Sequence, residues 1–123
     1  MKYLLDTDTC VFWLRGHPPV REHLAEIDPQ TVAISVVTLA ELRYGAAYSA
    51  RSHDNHQAIN AFIFAIPVLD LVPEAADAFG DLKSDLRRKG LLIEDMDLLI
   101  AATALAHNLT LVTNNMAHFE RIP

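Results

Sequence analysis

The sequence predicts an α/β protein of three layers, α/β/α, with a central parallel sheet of four to five strands. Three observations carry this. Short apolar runs alternate with longer segments of helical periodicity: YLL at 3–5, TVAIS at 31–35, PVLDL at 67–71 and TLVT at 110–113 are the candidate strands. These runs are largely apolar at successive positions, as expected of strands covered on both faces, and such strands belong to parallel sheets. Acids or amides stand just behind several of them or at the start of the adjoining helix, where open α/β sheets carry their sites.

Taken in order, YLL leads into T-C-V-F-W-L-R-G, a helical segment stopped at Gly16. PVREHLAEI is a short helix opened by Pro18-Pro19 and closed at Asp28-Pro29. After TVAIS, the run VVTLAELRYGAAYSA is built of helix formers, with Leu39, Leu42 and Ala46 on one face and Gly45 as a weak point. Ser52 is placed to cap the next helix, in which Ile59, Phe62, Ile63 and Ile66 recur at helical spacing. PVLDL is then a short strand, ended by Pro73, which also opens the helix PEAADAFGDLKSDLRRKG. That helix buries Ala75, Phe79, Leu82 and Leu86 and stops at Gly90. MDLLIAATALAHN is apolar around most of its circumference and is expected to be a buried helix. TLVT follows, then the turn signal Asn114-Asn115 and a short stretch toward Phe119.

A chain of 123 residues with 51 % hydrophobic and 21 % charged residues suits one domain spanning 1–123. The lone Cys10 makes no internal disulfide, which fits a reducing compartment. No apolar run approaches the ~18 residues of a membrane span, and Asp6 interrupts the N-terminus too early for a signal-peptide core. The expectation is a cytoplasmic protein without a membrane partner. Its net charge of −6 argues against nucleic acid on bulk charge alone. Acids gathered round metal reverse that reading, since two divalent cations would bring −6 to −2.

Four positions sit just after a strand or at an adjoining helix start and so could meet: Asp6, Glu41, Asp97 and the Asn114-Asn115 pair. Carboxylates converging in one crevice repel one another unless a cation lies between them. Oxygen ligands without Cys or His favour Mg²⁺ or Mn²⁺ over zinc. Each residue also has a plainer reading. Asp6 and Asp8 serve as turn formers, and Thr38-x-x-Glu41 matches a capping box. Glu94, Asp95 and Asp97 suit the positive start of a helix, and Asn114-Asn115 is an ordinary turn.

The stretches LLDTDTCVFWLRG, ISVVTLAELRYGA, KGLLIEDMDLLIAATALAHNLTLVTNN and FERIP occur in this order over nearly the whole chain. In this combination the sequence resembles the PIN-domain ribonucleases, specifically the VapC-type toxins of bacterial type II toxin–antitoxin pairs. The resemblance implies a parallel sheet flanked by helices and a metal-dependent acidic pocket that cleaves RNA, possession of which makes the protein an inhibitor of translation. Carried over by position, the pocket acids are Asp6, Glu41 and Asp97, holding Mg²⁺ or Mn²⁺. The fourth acid of the family falls on Asn115, a neutral amide that grips a cation less tightly; Asp8 or Asp95 is available to supply the missing charge. The helical pair from Val37 to Ala65 corresponds to the dimer face and antitoxin groove of relatives, so a VapB-type antitoxin, a homodimer and a heterotetramer or larger assembly are implied. Relatives continue past the equivalent of Arg121-Ile122-Pro123 with one more strand, which here is absent or cut.

Metal-activated water needs no side-chain nucleophile, and no Ser-His or Cys-His pair stands out. Cys10 sits on an apolar stretch and reads as core. Arg15 and Arg43 are candidate RNA contacts, while Arg87, Arg88 and Lys89 complement the end of their helix. Two other classes share parts of the pattern. LLDTDT matches the D-x-D-x-T opening of haloacid-dehalogenase-type phosphatases, with Asp6 as nucleophile and Asp8 as acid/base. A non-catalytic binding domain, whether a response-regulator receiver with Asp70 as phosphoacceptor or a PIN-like fold without activity, is the other alternative.

Overall fold

The computed structural model describes residues 1–16 and 28–113. The expected helix over 19–27, the Asn114-Asn115 turn and the segment from Phe119 to Pro123 lie outside the described residues. Four short strands are present: β1 (Tyr3–Leu5), β2 (Val32–Ser35), β3 (Val68–Leu69) and β4 (Thr110–Val112). They form one sheet in the order β3-β2-β1-β4, and every pairing is parallel. Among the described residues five helices accompany them: α1 (Thr7–Leu14), α2 (Val36–Tyr48), α3 (Ser52–Ala65), α4 (Pro73–Lys89) and α5 (Asp95–Ala106).

Alternation along each strand sends neighbouring side chains to opposite layers. Leu5, Val32 and Ile34 face one side, where they pack with Cys10 of α1, Leu42 and Ala46 of α2, and Ile59 and Phe62 of α3. Leu4 and Ala33 face the other side and meet Ile100 and Ala104 of α5, together with Val37. The far side of α5 is covered in turn, because Leu98, Ala101 and Ala102 pack against Leu82 and Leu86 of α4 and against Ile93. This explains the composition of α5: a helix lying between a sheet and another helix has apolar surface nearly all round. Burying each such Leu or Ile contributes roughly 1.5–3 kcal/mol.

The ends of the elements follow from local chemistry. Asp28 caps a single 3-10 turn over Pro29–Thr31 through the Gln30 N–H at 2.9 Å, so the strand expected from Thr31 begins at Val32. Of PVLDL only Val68–Leu69 pairs, at the outer edge of the sheet. Ser35 caps α2 directly from the end of β2. Ser52 does not cap α3 as expected; it is the first helical residue, and Arg51 before it supplies no side-chain cap. Ser49, one turn earlier, instead accepts the Arg51 N–H and an Asn55 amide proton. Gly90 ends α4 in the left-handed conformation at φ 69°. Its N–H bonds the Arg87 carbonyl and the Leu91 N–H bonds the Leu86 carbonyl, the paired closure that a left-handed residue makes possible.

The strand order locates the site. From β1 the chain builds outward through β2 and β3, then returns to place β4 on the opposite side of β1. The direction of winding therefore reverses between β1 and β4, and open sheets of this kind carry their sites beyond the carboxyl ends of such a pair. Asp6 and Thr113 are the residues that leave those two strands.

Candidate active site

Asp6 is buried, only 3 % exposed, and both carboxylate oxygens are engaged. One accepts the Thr9 N–H at 2.9 Å and so caps α1. The other accepts the Thr113 hydroxyl at 2.5 Å. The Asp6 N–H donates to the Val112 carbonyl at 3.1 Å, so main chain and side chain alike fasten the end of β1 to the end of β4. The turn-former reading of Asp6 thus holds as a cap, yet it does not account for burial of a carboxylate at the switch point of the sheet.

Glu41 arrives from the neighbouring strand by way of α2. The capping-box reading of Thr38-x-x-Glu41 is overturned, because Ser35 occupies the cap and its hydroxyl accepts the Thr38 N–H at 3.0 Å. Glu41 instead faces α1, where the Thr7 hydroxyl donates to its carboxylate at 2.5 Å. Burial is the main reason the Glu41 carboxyl titrates above its ordinary range; the Thr7 bond opposes the rise, and the negative fields of Asp97, Asp8 and Glu94 add to it. Glu41 and Asp97 therefore sit within one field, although 56 positions separate their numbers. Asp97 is the third residue of α5 and half-buried. Asp95 is drawn to the opposite side, where it pairs with Lys83 of α4 at 2.9 Å. Glu94 and Asp8, not Asp95, are the additional acids that Glu41 senses.

The donors suit a hard cation in kind, being oxygens of like-charged neighbours. Among the described residues no three Asp, Glu, His or Cys side chains close round a point as a ready-made cage. One or two of these carboxylates would hold such an ion, and it would polarise water and a substrate phosphate there. Asn115, the expected fourth ligand, lies outside the described residues.

The two candidate RNA contacts diverge from the acids. Arg15 is exposed past the end of α1, whereas Asp6 caps its start, so about 13 Å of helix separates them. Arg43 turns away from Glu41 to α3, donating to His56 Nδ1 at 3.0 Å and to the Asn60 side-chain oxygen at 2.5 Å. Asp70 follows the outermost strand and is exposed; with β2 between β3 and β1, it lies about 10 Å across the sheet from Asp6, which removes the receiver arrangement. Cys10 is fully buried, and burial together with the Asp6 charge pushes its thiol far above the usual range, so no thiolate is available.

Four polar residues that the sequence did not single out as parts of the site complete it: Thr7, Ser35, Thr38 and Thr113. The Ser35 hydroxyl lies 3.3 Å from that of Thr38, which lies 3.3 Å from that of Thr7. Hydroxyls at helix starts read as caps, and only the closeness of α1 and α2 gives these a second use.

The raised Glu41 carboxyl has a consequence for stability. The folded protein holds this proton more tightly than the unfolded chain, so ionised Glu41 opposes folding. That penalty is absent below the ordinary value of 4.5 and grows as pH rises through the folded value. Glu41→Gln, which keeps an acceptor for Thr7, is expected to raise the Tm of the metal-free protein near neutral pH. The gain should shrink as pH falls toward the ordinary carboxyl range. A difference that stays constant across a pH series of thermal melts would contradict this cause.

Similarity to known proteins agrees with this geometry. The PIN domain family profile matches residues 3–123. Ribonuclease VapC2 of Rickettsia felis is 39 % identical over 125 aligned residues, covering 100 % of this chain and 93 % of its own length. The tRNA(fMet)-specific endonuclease VapC of Salmonella typhimurium is 38 % identical, covering 100 % and 93 %. Among solved structures, VapBC2 from Rickettsia felis bound to a DNA fragment from their promoter superposes with a TM-score of 0.92 at 38 % identity, covering 100 % of this chain and 94 % of that one. With this profile match and full-length relatives at this identity, the chain belongs to the PIN domain family.

Proposed function

We infer that the protein is an Mg²⁺- or Mn²⁺-dependent endoribonuclease and the toxin of a toxin–antitoxin pair, hydrolysing phosphodiester bonds in RNA and so inhibiting translation in the cytoplasm. The observation that carries this is the Thr7 hydroxyl bond that ties Glu41 to the turn beginning at the buried Asp6, with Asp97 among the charges that raise the Glu41 carboxyl. Asp6, Glu41 and Asp97 are the proposed metal-holding and catalytic residues, with Asn115 as a weaker fourth ligand. When bound, the ion lowers the pKa of water and draws charge from the phosphoryl oxygens. Asp6 is held for this task by Thr9 and Thr113, and Glu41 by Thr7. Arg15 remains a candidate contact to RNA beyond the pocket, whereas the bonds of Arg43 favour pairing of α2 with α3.

The name of the Salmonella relative supports a structured RNA such as tRNA as the substrate class. The VapBC2 assembly supports a VapB-type antitoxin as partner and an oligomeric assembly with it. The α2–α3 pair also carries exposed Tyr44, Tyr48 and Phe64, and apolar surface of this kind commonly marks an interface. Among the described residues no helix is long and apolar enough to cross a membrane.

Purified protein incubated with total RNA tests the activity. Cleavage at defined ends is expected with Mg²⁺ or Mn²⁺, loss with EDTA, and recovery when the metal is returned. Undiminished cleavage in EDTA overturns the metal dependence, and intact RNA at saturating metal overturns the nuclease.

A further inference from the structure

The hydroxyl chain between β2 and Glu41 has a direction. Thr7 has one hydroxyl proton, and at 2.5 Å the Glu41 carboxylate is a stronger acceptor for it than the Thr38 hydroxyl at 3.3 Å. With that proton committed, the 3.3 Å contact between Thr7 and Thr38 can be a hydrogen bond only with Thr38 as donor. Ser35, whose oxygen already accepts the Thr38 N–H, donates to the Thr38 oxygen at 3.3 Å. The three hydroxyls form a row that ends on a carboxylate oxygen; its short link is the bond from Thr7 to Glu41, and the two 3.3 Å contacts behind it are longer and weaker. Its root is rigid: Ser35 and Thr38 are both fully buried, at the junction where β2 passes without a linker into α2. Its far end is Thr7, the residue following Asp6 and the first of α1.

We propose that Thr7 is a positioning residue for Glu41, and that the Ser35–Thr38–Thr7 chain sets the carboxylate in one orientation beside Asp97 before any cation arrives. This rests on the reading of Glu41 as a metal-holding acid. A glutamate on a helix has three side-chain torsions, and a half-buried one among like charges is pushed outward unless something holds it. Thr7 is the hydrogen-bond donor seen on it, and it comes from the turn that also places Asp6. The same contact therefore fixes the spacing between α1 and α2 at the site.

The test compares Thr7→Val, which keeps the shape and removes the hydroxyl, with Thr7→Ser, which keeps the hydroxyl. Thr7→Ala guards against a packing fault peculiar to valine. Mn²⁺ affinity of the RNA-free protein is measured by electron paramagnetic resonance, alongside RNA cleavage. Loss of a group that orients a metal ligand typically weakens affinity or activity 10–100-fold, so Thr7→Val and Thr7→Ala are each expected to lose about tenfold or more in Mn²⁺ affinity, and Thr7→Ser less than about threefold. On a Glu41→Gln background, Thr7→Val should cause no further loss, because its effect runs through Glu41. If Glu41→Gln alone leaves Mn²⁺ affinity unchanged, the metal role of Glu41 falls, and the proposal with it. If Glu41→Gln weakens binding but Thr7→Val does not, only the positioning role falls. Serine as damaging as valine, or losses that add on the Glu41→Gln background, overturns it too.

Discussion

Asp97→Asn is expected to reduce RNA cleavage by at least about 100-fold, the upper end of what losing a mere supporting group costs a metal site. The carboxylate stands on the first turn of α5 within the field of Glu41. The amide removes its charge with almost no change of shape, so the fold should be preserved. Asp6→Asn is expected to act similarly, and its local chemistry makes it an informative partner. Asparagine caps helices about as well as aspartate, so the bond from the Thr9 N–H survives. The new amide NH₂ is able to donate to the Thr113 oxygen in place of the bond it now receives. Asp6→Ala, in contrast, loses the cap at about 0.5–2 kcal/mol and the bond from the Thr113 hydroxyl as well. Cleavage of end-labelled RNA and arrest of growth on expression are the two readouts. Wild-type rates for both Asn variants under saturating metal would show that the acids hold no catalytic ion.

Much of this arrangement was legible in the sequence because it depends on local rules. Apolar runs ending in a polar residue gave β1, β2 and β4, and the Pro73 and Gly90 boundaries gave α4. The apolar circumference of α5 announced a helix with layers on both sides, as Leu98 and Ile100 confirm. The rest required knowing which elements lie side by side. Thr38-x-x-Glu41 fits the capping box and Ser35-x-x-Thr38 does not, yet Ser35 is the cap because β2 ends there. Thr7 reads as a helix-start residue until α2 brings Glu41 to it from 34 residues away. Glu94, Asp95 and Asp97 are indistinguishable as acids at a helix start. Lys83, one helix earlier, takes Asp95 out of the set, while Glu94 and Asp97 remain in the field of Glu41. Arg43 could be placed on the wrong face from spacing alone, since two residues turn a helix by about 200°. Its partners His56 and Asn60 could not be foreseen.

Ile100→Ala is expected to destabilise the protein by about 2–5 kcal/mol, a large part of the roughly 5–15 kcal/mol that holds a typical domain together. Ile100 is 0 % exposed and lies among Leu4, Ala33, Val37 and Ala104, where α5 meets the sheet. The other side of α5 is fixed by α4 through Leu98, Ala101 and Ala102, so the helix has little freedom to sink and fill the space. Leu105→Ala on the same helix removes a similar volume from a side chain 51 % exposed and should change stability by less than about 0.5 kcal/mol. Urea melts of the two variants separate packing from helix propensity, because both replace a residue of α5 by alanine. Equal midpoints would mean that α5 is not clamped between layers. The clamp matters for chemistry as well as for stability. Asp97 precedes Ile100 by three residues, nearly one turn, and so sits over the same face of α5. A helix that shifts to fill the alanine cavity carries Asp97 with it, and misplacement by about 1 Å can slow a reaction about 100-fold. Ile100→Ala should therefore lose cleavage activity even at temperatures where it is fully folded, whereas Leu105→Ala should keep it.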